Sequence, residues 1–342
     1  AAGKRRRRWQ GHRAAMTASV MVETIKLLKG DFVALDLGSA HSRDLFRDHS
    51  DLAGAVTFIE VDALSQEPKS DAPFHRRISL KKAVAGTPGK RILTQRKFPD
   101  CSSFPEPDPE LIEAYGLQSY FEKVGTIELE CETIGTLLRE HGINRVDLFK
   151  TDLEGMDFEV LSSARELVSR ALCVQSELRF QPFYRGEPHY HEVAAYLAEL
   201  GFETIFLRPE IWKYATRHQS LARDGRLAWC DAIFFMKAGK VRQIFGEPAA
   251  TKCLLKQIIL ARLLGLNNFA EYLYQTHATQ FPDSVRREMQ DFFRQGFGAS
   301  RRLIALINRL PLGWMFIAAM RRVFGAGYRA TCLYRDKMIA TQ

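Results

Sequence analysis

The sequence predicts an α/β protein whose open, mostly parallel sheet is wound on both faces by helices. Three observations carry this. Short apolar runs recur along the chain, polar only at their carboxyl ends, as in strands buried on both faces. Helix-period segments lie between them, so strand and helix alternate. The chain, 342 residues long and 46% hydrophobic, has ample material for one large core plus an appendage.

The strands come in order. "DFVALDLG" (31–38) is an apolar run closing on glycine, and "AVTFIEVD" (55–62) is β-branched and ends in acids. "RRISLKKAVAG" (76–86) is a third candidate. "VDLFKTDLEG" (146–155), "ALCVQSEL" (171–178), "FETIFL" (202–207) and "DAIFFMK" (231–237) follow. Between them, "MDFEVLSSARELVSR" spaces Phe158, Leu161, Ala164 and Leu167 as a helix does. "HYHEVAAYLAELGFE" does the same with Val193, Tyr196, Leu197 and Leu200, and Gly201 ends it. Prolines 99, 105, 107 and 109 exclude a regular element over 99–109, so 94–116 reads as a long loop and then a helix beginning near Asp108. Loops this long are often lids or binding loops.

From Thr251 onward no strand-like run is evident. Segments 251–266, 267–281 and 284–295 read as short helices. "RRLIALINRLPLGWMFIAAMRRVF" (301–324) is apolar with arginines at both ends. With Trp314 and Phe316 it suits either packing on the chain's own main domain or on a second subunit, or peripheral membrane contact. The expected organisation is a basic disordered tail or appended remnant at 1–15, a catalytic-type domain at 16–245 and a helical extension at 246–342. A homo-oligomer is compatible with that extension.

The net charge is +9, unevenly placed. Residues 1–13 carry +6 and residues 297–342 carry +7, which leaves the body at −4. A nucleic-acid groove in the body is therefore not favoured, although the basic ends suit phosphates or anionic lipid. Residues 1–16 lack the apolar stretch of a secretory signal. The six cysteines are scattered and form no CxxC, so neither a zinc site nor a disulfide framework emerges, and a reducing, cytoplasmic setting fits. That setting extends to the inner face of a membrane if 301–324 touches lipid.

In parallel sheets the ligand crevice lies beyond the carboxyl ends of the strands. Asp36, Glu60, Asp152 and Glu177 fall at successive strand ends and are expected to meet along one edge. In "LDLGSAHSR" (35–43), Asp36 and Gly38 followed by Ser39 resemble a cofactor-binding turn, because glycine lets a ligand approach the backbone. In "TFIEVD" (57–62), Glu60 lies 22 residues after Gly38, suited to bonding ribose hydroxyls, and Asp62 closes the same run. His189 and His191 are two apart, the wrong spacing for a metal pair on a helix, so capping or a substrate contact is expected; His41 beside the turn is a lesser candidate.

"LDLGSAHS", "FIEVD", "KKAVAG", "CSSF", "VDLFKTDLEGMDFEVL" and "VQSELRF" stand in the order seen in FkbM-family methyltransferases. "DLFKTDLEGMDFEVL" is especially similar to that family's Lys-x-Asp-x-Glu-Gly signature and its following helix. The resemblance covers about residues 30–240. It implies a Rossmann-like, seven-stranded class I sheet with an antiparallel last strand. It implies S-adenosylmethionine as cofactor and methylation of a hydroxyl on a sugar, glycan or secondary metabolite. By that resemblance Asp36 and Gly38 match the cofactor turn and Glu60 the ribose acid. Lys150, Asp152, Glu154 and Gly155 match the signature, and Glu177 an acid after the next strand. The turn departs from the family's Gly-Ala-Asn with a later Gly: here it reads Gly38-Ser39-Ala40, with Ser42 at the later place. A non-catalytic binding or scaffold protein is the alternative that this departure keeps open.

Methyl transfer from a sulfonium is an in-line displacement, and a sugar hydroxyl is a weak nucleophile that a nearby base assists. Asp152 is placed for that work, with Glu154 beside it and Lys150 to balance the acids. Asp152 and Glu177, with Glu154, could instead hold a divalent cation such as Mg2+. The same residues could also simply tie the strand end to the helix that follows.

Overall fold

Alternating apolar segments assemble into two sheets in the computed structural model, which describes residues 21–38, 45–46, 50–64, 72–216 and 225–294. The strands are β1 (Phe32–Leu37), β2 (Val56–Val61), β3 (Arg76–Leu80), β4 (Ala83–Val84), β5 (Gly89–Arg96), β6 (Lys123–Glu132), β7 (Leu148–Thr151), β8 (Cys173–Arg179), β9 (Phe202–Trp212) and β10 (Arg226–Met236). The helices are α1 (Val22–Leu28), α2 (Ser50–Ala53), α3 (Pro109–Ala114), α4 (Gln118–Phe121), α5 (Ile134–Glu140), α6 (Asp157–Ser163), α7 (Arg165–Val168), α8 (Tyr190–Glu199), α9 (Ala238–Phe245), α10 (Ala249–Leu263) and α11 (Asn267–His277).

The larger sheet has seven strands in the order β3-β2-β1-β7-β8-β10-β9. Pairings among β3, β2, β1, β7 and β8 are parallel, whereas β10 runs antiparallel to both β8 and β9. The last strand thus slots in reverse between β8 and β9, as expected. Every residue of β2 is buried, which explains its unbroken apolar texture. Gly201, at φ +96°, ends the α8 segment, and the Glu192 carboxylate accepts from the His189 backbone N–H (2.8 Å) at its start. His189 is therefore a helix cap, and its ring lies 5.3 Å from that of His191.

Two expectations need correction. The run 76–86 is not one strand: it breaks after Leu80, and Ala83–Val84 joins a separate three-stranded sheet, β4-β6-β5. β5 and β6 are long antiparallel strands that the apolar-run criterion passes over, because their outer faces are polar or exposed. The proline-rich stretch between them does begin its helix where expected, with the Asp108 side chain accepting from Glu110 N–H.

The second correction concerns the boundary at 245/246. Residues 20–285 form one compact unit, so α9, α10 and α11 belong with the sheet and not to an appendage. The physical reason lies in α10, which is apolar around most of its circumference and buried from Cys253 to Ala261. Its two polar residues there are matched. Gln257 donates to the carbonyls of Leu172 (3.2 Å) and Met236 (2.7 Å). Lys256, fully buried, meets Asp147 Oδ2 at 3.0 Å and donates to the Asp31 carbonyl. Asp147 also accepts from Arg145 (2.6 Å) and from Val33 N–H (2.9 Å) at the start of β1. Of the second unit, residues 286–294 are described and are helical. The segments 1–15 and 301–324 lie outside the described residues.

Asp147→Ala would take from the buried Lys256 the nearer of its two carboxylates, leaving only Asp31 Oδ2 at 3.3 Å, and breaking a buried pair costs about 3–5 kcal/mol in comparable settings. Urea unfolding of the full chain is expected to show a loss of that order. A loss under about 1 kcal/mol, the range of an exposed pair, would mean that this bridge does not anchor α10.

Candidate functional site

The carboxyl ends of β1, β2 and β7 meet in a tight backbone arrangement. Gly38 N–H donates to Val61 O (3.0 Å) and Asp152 N–H donates to Leu37 O (3.1 Å), extending the ladder one residue past the strands. Gly38 has φ +74°, and a β-carbon built there would lie 1.8 Å from the Asp152 carbonyl oxygen. Only glycine satisfies both constraints. The sequence expectation for Gly38 is thus met for a reason internal to the chain as well as for ligand access.

The register places Asp36 beside Glu60 on one side and Lys150 on the other. Lys150 Nζ lies 2.6 Å from Asp36 Oδ1. Burial disfavours the lysine's charge, yet Asp36 and then Asp152 hold its pKa above the ordinary value. Glu60 turns to its neighbour strand: its Oε2 accepts from Arg77 (2.6 and 3.0 Å) and from Ser79 (3.0 Å). Glu60, Asp36 and Lys150 sit behind the cavity described next and do not line it, whereas Asp62 does. Asp62 is held by a local turn in which its Oδ1 accepts from Leu64 N–H (2.7 Å). Ser39, His41 and Ser42 lie outside the described residues.

A cavity of about 650 Å3 opens at this edge of the sheet. One side is Gly38, Val61, Asp62, Ala63 and Val84, mostly small and apolar. Its floor carries Asp152, Glu154 and Glu177, which contribute carboxylate oxygens that all lie within 4.8 Å of one another. Arg179, two residues beyond Glu177 on β8, ties Glu154 and Glu177 together. It meets Glu154 at 3.0 Å, pairs closely with Glu177, and lies 3.6 Å from Glu187 behind them. Tyr184 Oη donates to the same Glu154 oxygen (2.7 Å).

The backbone at Glu154 is unusual. It has φ +46°, a left-handed conformation in a non-glycine residue, and Gly155 follows at φ +92°. A β-carbon on Gly155 would come within 2.8 Å of the Tyr184 ring. The glycine of the signature is therefore needed so that Tyr184 can pack close enough to reach Glu154. The left-handed turn at Glu154 is held by the two hydrogen bonds to its side chain.

Asp152 differs from its neighbours in that its carboxylate makes no hydrogen bond or ion pair with another described residue while facing the cavity. Burial, with the nearby Glu177 charge, pushes its pKa up to about 7 despite Lys150. Glu154 is pushed well above the carboxylate range by burial, against the pull of Arg179. Asp152 is thus poised to hold or release a proton near neutral pH.

The far wall was not legible beforehand. The second sheet and the turn after it supply Phe98, Asp100 and Cys101, and β9 and β10 supply Trp212 and Trp229. Arg179 and Tyr184 were also missed. "SELR" alternates Glu177 with Arg179 on one strand, a signal that two charges share a face. Tyr184 lies in a loop, where no periodicity points anywhere.

An open sheet with its last strand inserted in reverse, and a cavity at the carboxyl ends of its first strands, fit a Rossmann-like methyltransferase fold. Residues 39–204 match the model of the methyltransferase FkbM domain, so the chain carries an FkbM methyltransferase domain. No curated protein and no solved structure shows a match to the chain. Among the described residues, no helix is long and apolar enough to cross a membrane.

Gly38→Ala is expected to unfold at lower denaturant than the parent, because the backbone of Asp152 must move; equal midpoints would contradict the close approach. A carboxyl whose folded pKa is raised destabilises the fold as pH climbs from its unfolded pKa through its folded one. Asp152→Asn should therefore be more stable than the parent at pH 8, with the difference shrinking toward pH 5. Parallel urea titrations at the two values measure it, and an unchanged gap would show that Asp152 ionises normally.

Proposed function

We propose that the protein is an S-adenosylmethionine-dependent O-methyltransferase acting on a hydroxyl of a small molecule or glycan. The observation that carries this reading is the Asp152 carboxylate, without a partner among the described residues, facing a cavity whose other side is small, apolar and edged by Asp62.

The residues present suit the cofactor. Asp62, fixed by its own turn, offers a carboxylate at the place where ribose hydroxyls would lie, and Val61, Ala63 and Val84 offer an apolar surface for an adenine. Glu60, the acid expected for the ribose from the family resemblance, is occupied by Arg77 and Ser79, so we assign the contact to Asp62. S-adenosylmethionine supplies the electrophilic methyl. The chain's own part is to orient the acceptor oxygen and take its proton. Asp152 accepts that proton, being partly ionised at neutral pH, while Arg179 and Tyr184 hold Glu154 and Glu177 in fixed positions around it. Lys150, bound to Asp36 behind the cavity, stabilises the Asp152 carboxylate from a distance.

A specific observation favours a second arrangement. Oxygens of Asp152, Glu154 and Glu177 are close enough to share one divalent cation such as Mg2+, which would lower the pKa of a bound hydroxyl. Activity abolished by EDTA and restored by Mg2+ would assign that role; activity indifferent to both would leave Asp152 acting alone.

Asp152→Asn should lower kcat by about 10²–10⁴-fold and remove the acid limb of the pH–rate profile, with S-adenosylhomocysteine affinity unchanged by calorimetry. Asp62→Ala should weaken that affinity, and Glu60→Ala should act through stability instead. If millimolar S-adenosylhomocysteine gives no heat with the parent protein, the methyltransferase reading gives way to a non-catalytic binding protein.

A further inference from the structure

The three carboxylates of the floor lie close enough to share a divalent ion, yet a cation already stands among them. Arg179 sits on β8 directly opposite Trp229 of β10, and its side chain is only 6% exposed. One guanidinium nitrogen meets Glu154 Oε2 at 3.0 Å, and another pairs closely with Glu177. The rings of Tyr184 and Trp229 have their centroids 5.7 and 6.0 Å from the guanidinium carbon, within reach of a cation–π contact. A planar charge gripped at its edge by carboxylates and flanked by two rings has one orientation.

Arg179 is also not free to step aside. Glu187 lies behind it, with Oε1 3.6 Å from Arg179 Nε. That carboxylate is itself fixed, because its other oxygen accepts from the backbone N–H groups of Phe183 (3.0 Å) and Tyr184 (3.1 Å). Moving the guanidinium out of the floor would take the cation from buried Glu187 as well as from Glu154 and Glu177.

An incoming ion meets two obstacles. Glu154 and Glu177 each commit an oxygen to Arg179, and the Glu154 oxygen also accepts from the Tyr184 hydroxyl (2.7 Å). Mg2+ demands a near-octahedral cage of oxygens, so shared oxygens serve it poorly. The ion would also stand beside a fixed positive charge, with the opposing charges of the acids already drawn toward it.

We propose that Arg179 is the resident cation of the floor: it holds Glu154 and Glu177 in the way a divalent ion would, and the site takes up no such ion while the arginine is present. Of the two arrangements above, this selects Asp152 acting without metal. Its meaning for catalysis rests on the methyltransferase reading, but its test needs neither cofactor nor acceptor.

Mn2+ is the probe, because it takes the oxygen ligands that Mg2+ takes and its free ion is counted by electron paramagnetic resonance. A metal must displace any proton held by these carboxyls, so the full chain is titrated at pH 8. The parent should bind Mn2+ no more tightly than about millimolar. Arg179→Lys keeps the charge and should behave like the parent. Arg179→Met should bind about tenfold more tightly or better, and adding Glu177→Gln should remove the gain. Circular dichroism checks that each variant folds. If Arg179→Met does not fold, the parent decides: weak binding that Glu177→Gln leaves unchanged upholds the proposal. Micromolar binding by the parent that Glu177→Gln abolishes would overturn it. So would equal affinity in the parent and a folded Arg179→Met, or tight binding by Arg179→Lys. Calorimetry with S-adenosylhomocysteine on the same parent preparation tests the methyltransferase reading separately: absence of heat would strike that reading and leave the place of Arg179 in the floor untouched.

Discussion

The backbones of Gly38 and Asp152 approach so closely that no side chain fits between them. Their strands, β1 and β7, are neighbours and parallel, and the ladder runs one residue beyond each. That contact sets where both chains can go next. Gly38 takes a positive φ, and Asp152 leads into the left-handed turn of Glu154 and Gly155. The cavity opens beside this contact and is lined by both residues. Its two sides, the small apolar one and the acidic floor, are thereby held at a fixed separation by main chain instead of by flexible side chains.

Charge in the floor is arranged by unequal sharing. Glu154 and Glu177 are tied to Arg179, and Tyr184 adds a hydrogen bond to Glu154, so both are spoken for. Lys150 is drawn off by Asp36. Asp152 has no direct partner among the described residues, and burial with the Glu177 charge outweighs the pull of Lys150, so its proton exchanges near neutral pH. An enzyme needs one group tuned and the rest immobile, and a single arginine bridging two acids accomplishes the second part.

The other end of the sheet is held by a different device. Lys256 reaches from α10 to Asp147 and to the backbone at Asp31, where β1 begins, and Gln257 caps carbonyls at Leu172 and Met236. A helix that follows the last strand in sequence thus closes the edge opposite the cavity. Its buried polar residues choose one seating for an otherwise greasy cylinder, because any other would leave a charge without a partner.

Much was readable before any coordinates. The apolar runs of β1, β2, β7, β8 and β10 identify themselves because strands buried on both faces leave no polar positions, and the signature from Lys150 to Gly155 marks the site by residue type and order. Glycine at 38 was legible as a turn. What stayed hidden depends on contacts between residues distant in sequence. β5 and β6 have exposed faces, so their composition does not betray them. Arg179 and Tyr184 acquire meaning only when β8 and the following loop are brought beside β7. Glu60 and Asp62 are both acids at one strand end, and only the fold shows that Arg77 on β3 engages Glu60 while Asp62 lines the cavity. Sequence by itself determined the sheet, its alternation and the cluster of acids at its edge, because local hydrophobic pattern suffices for those. Tertiary structure alone decided which acid pairs with which base and what walls enclose them, because pairing is a matter of distance in space.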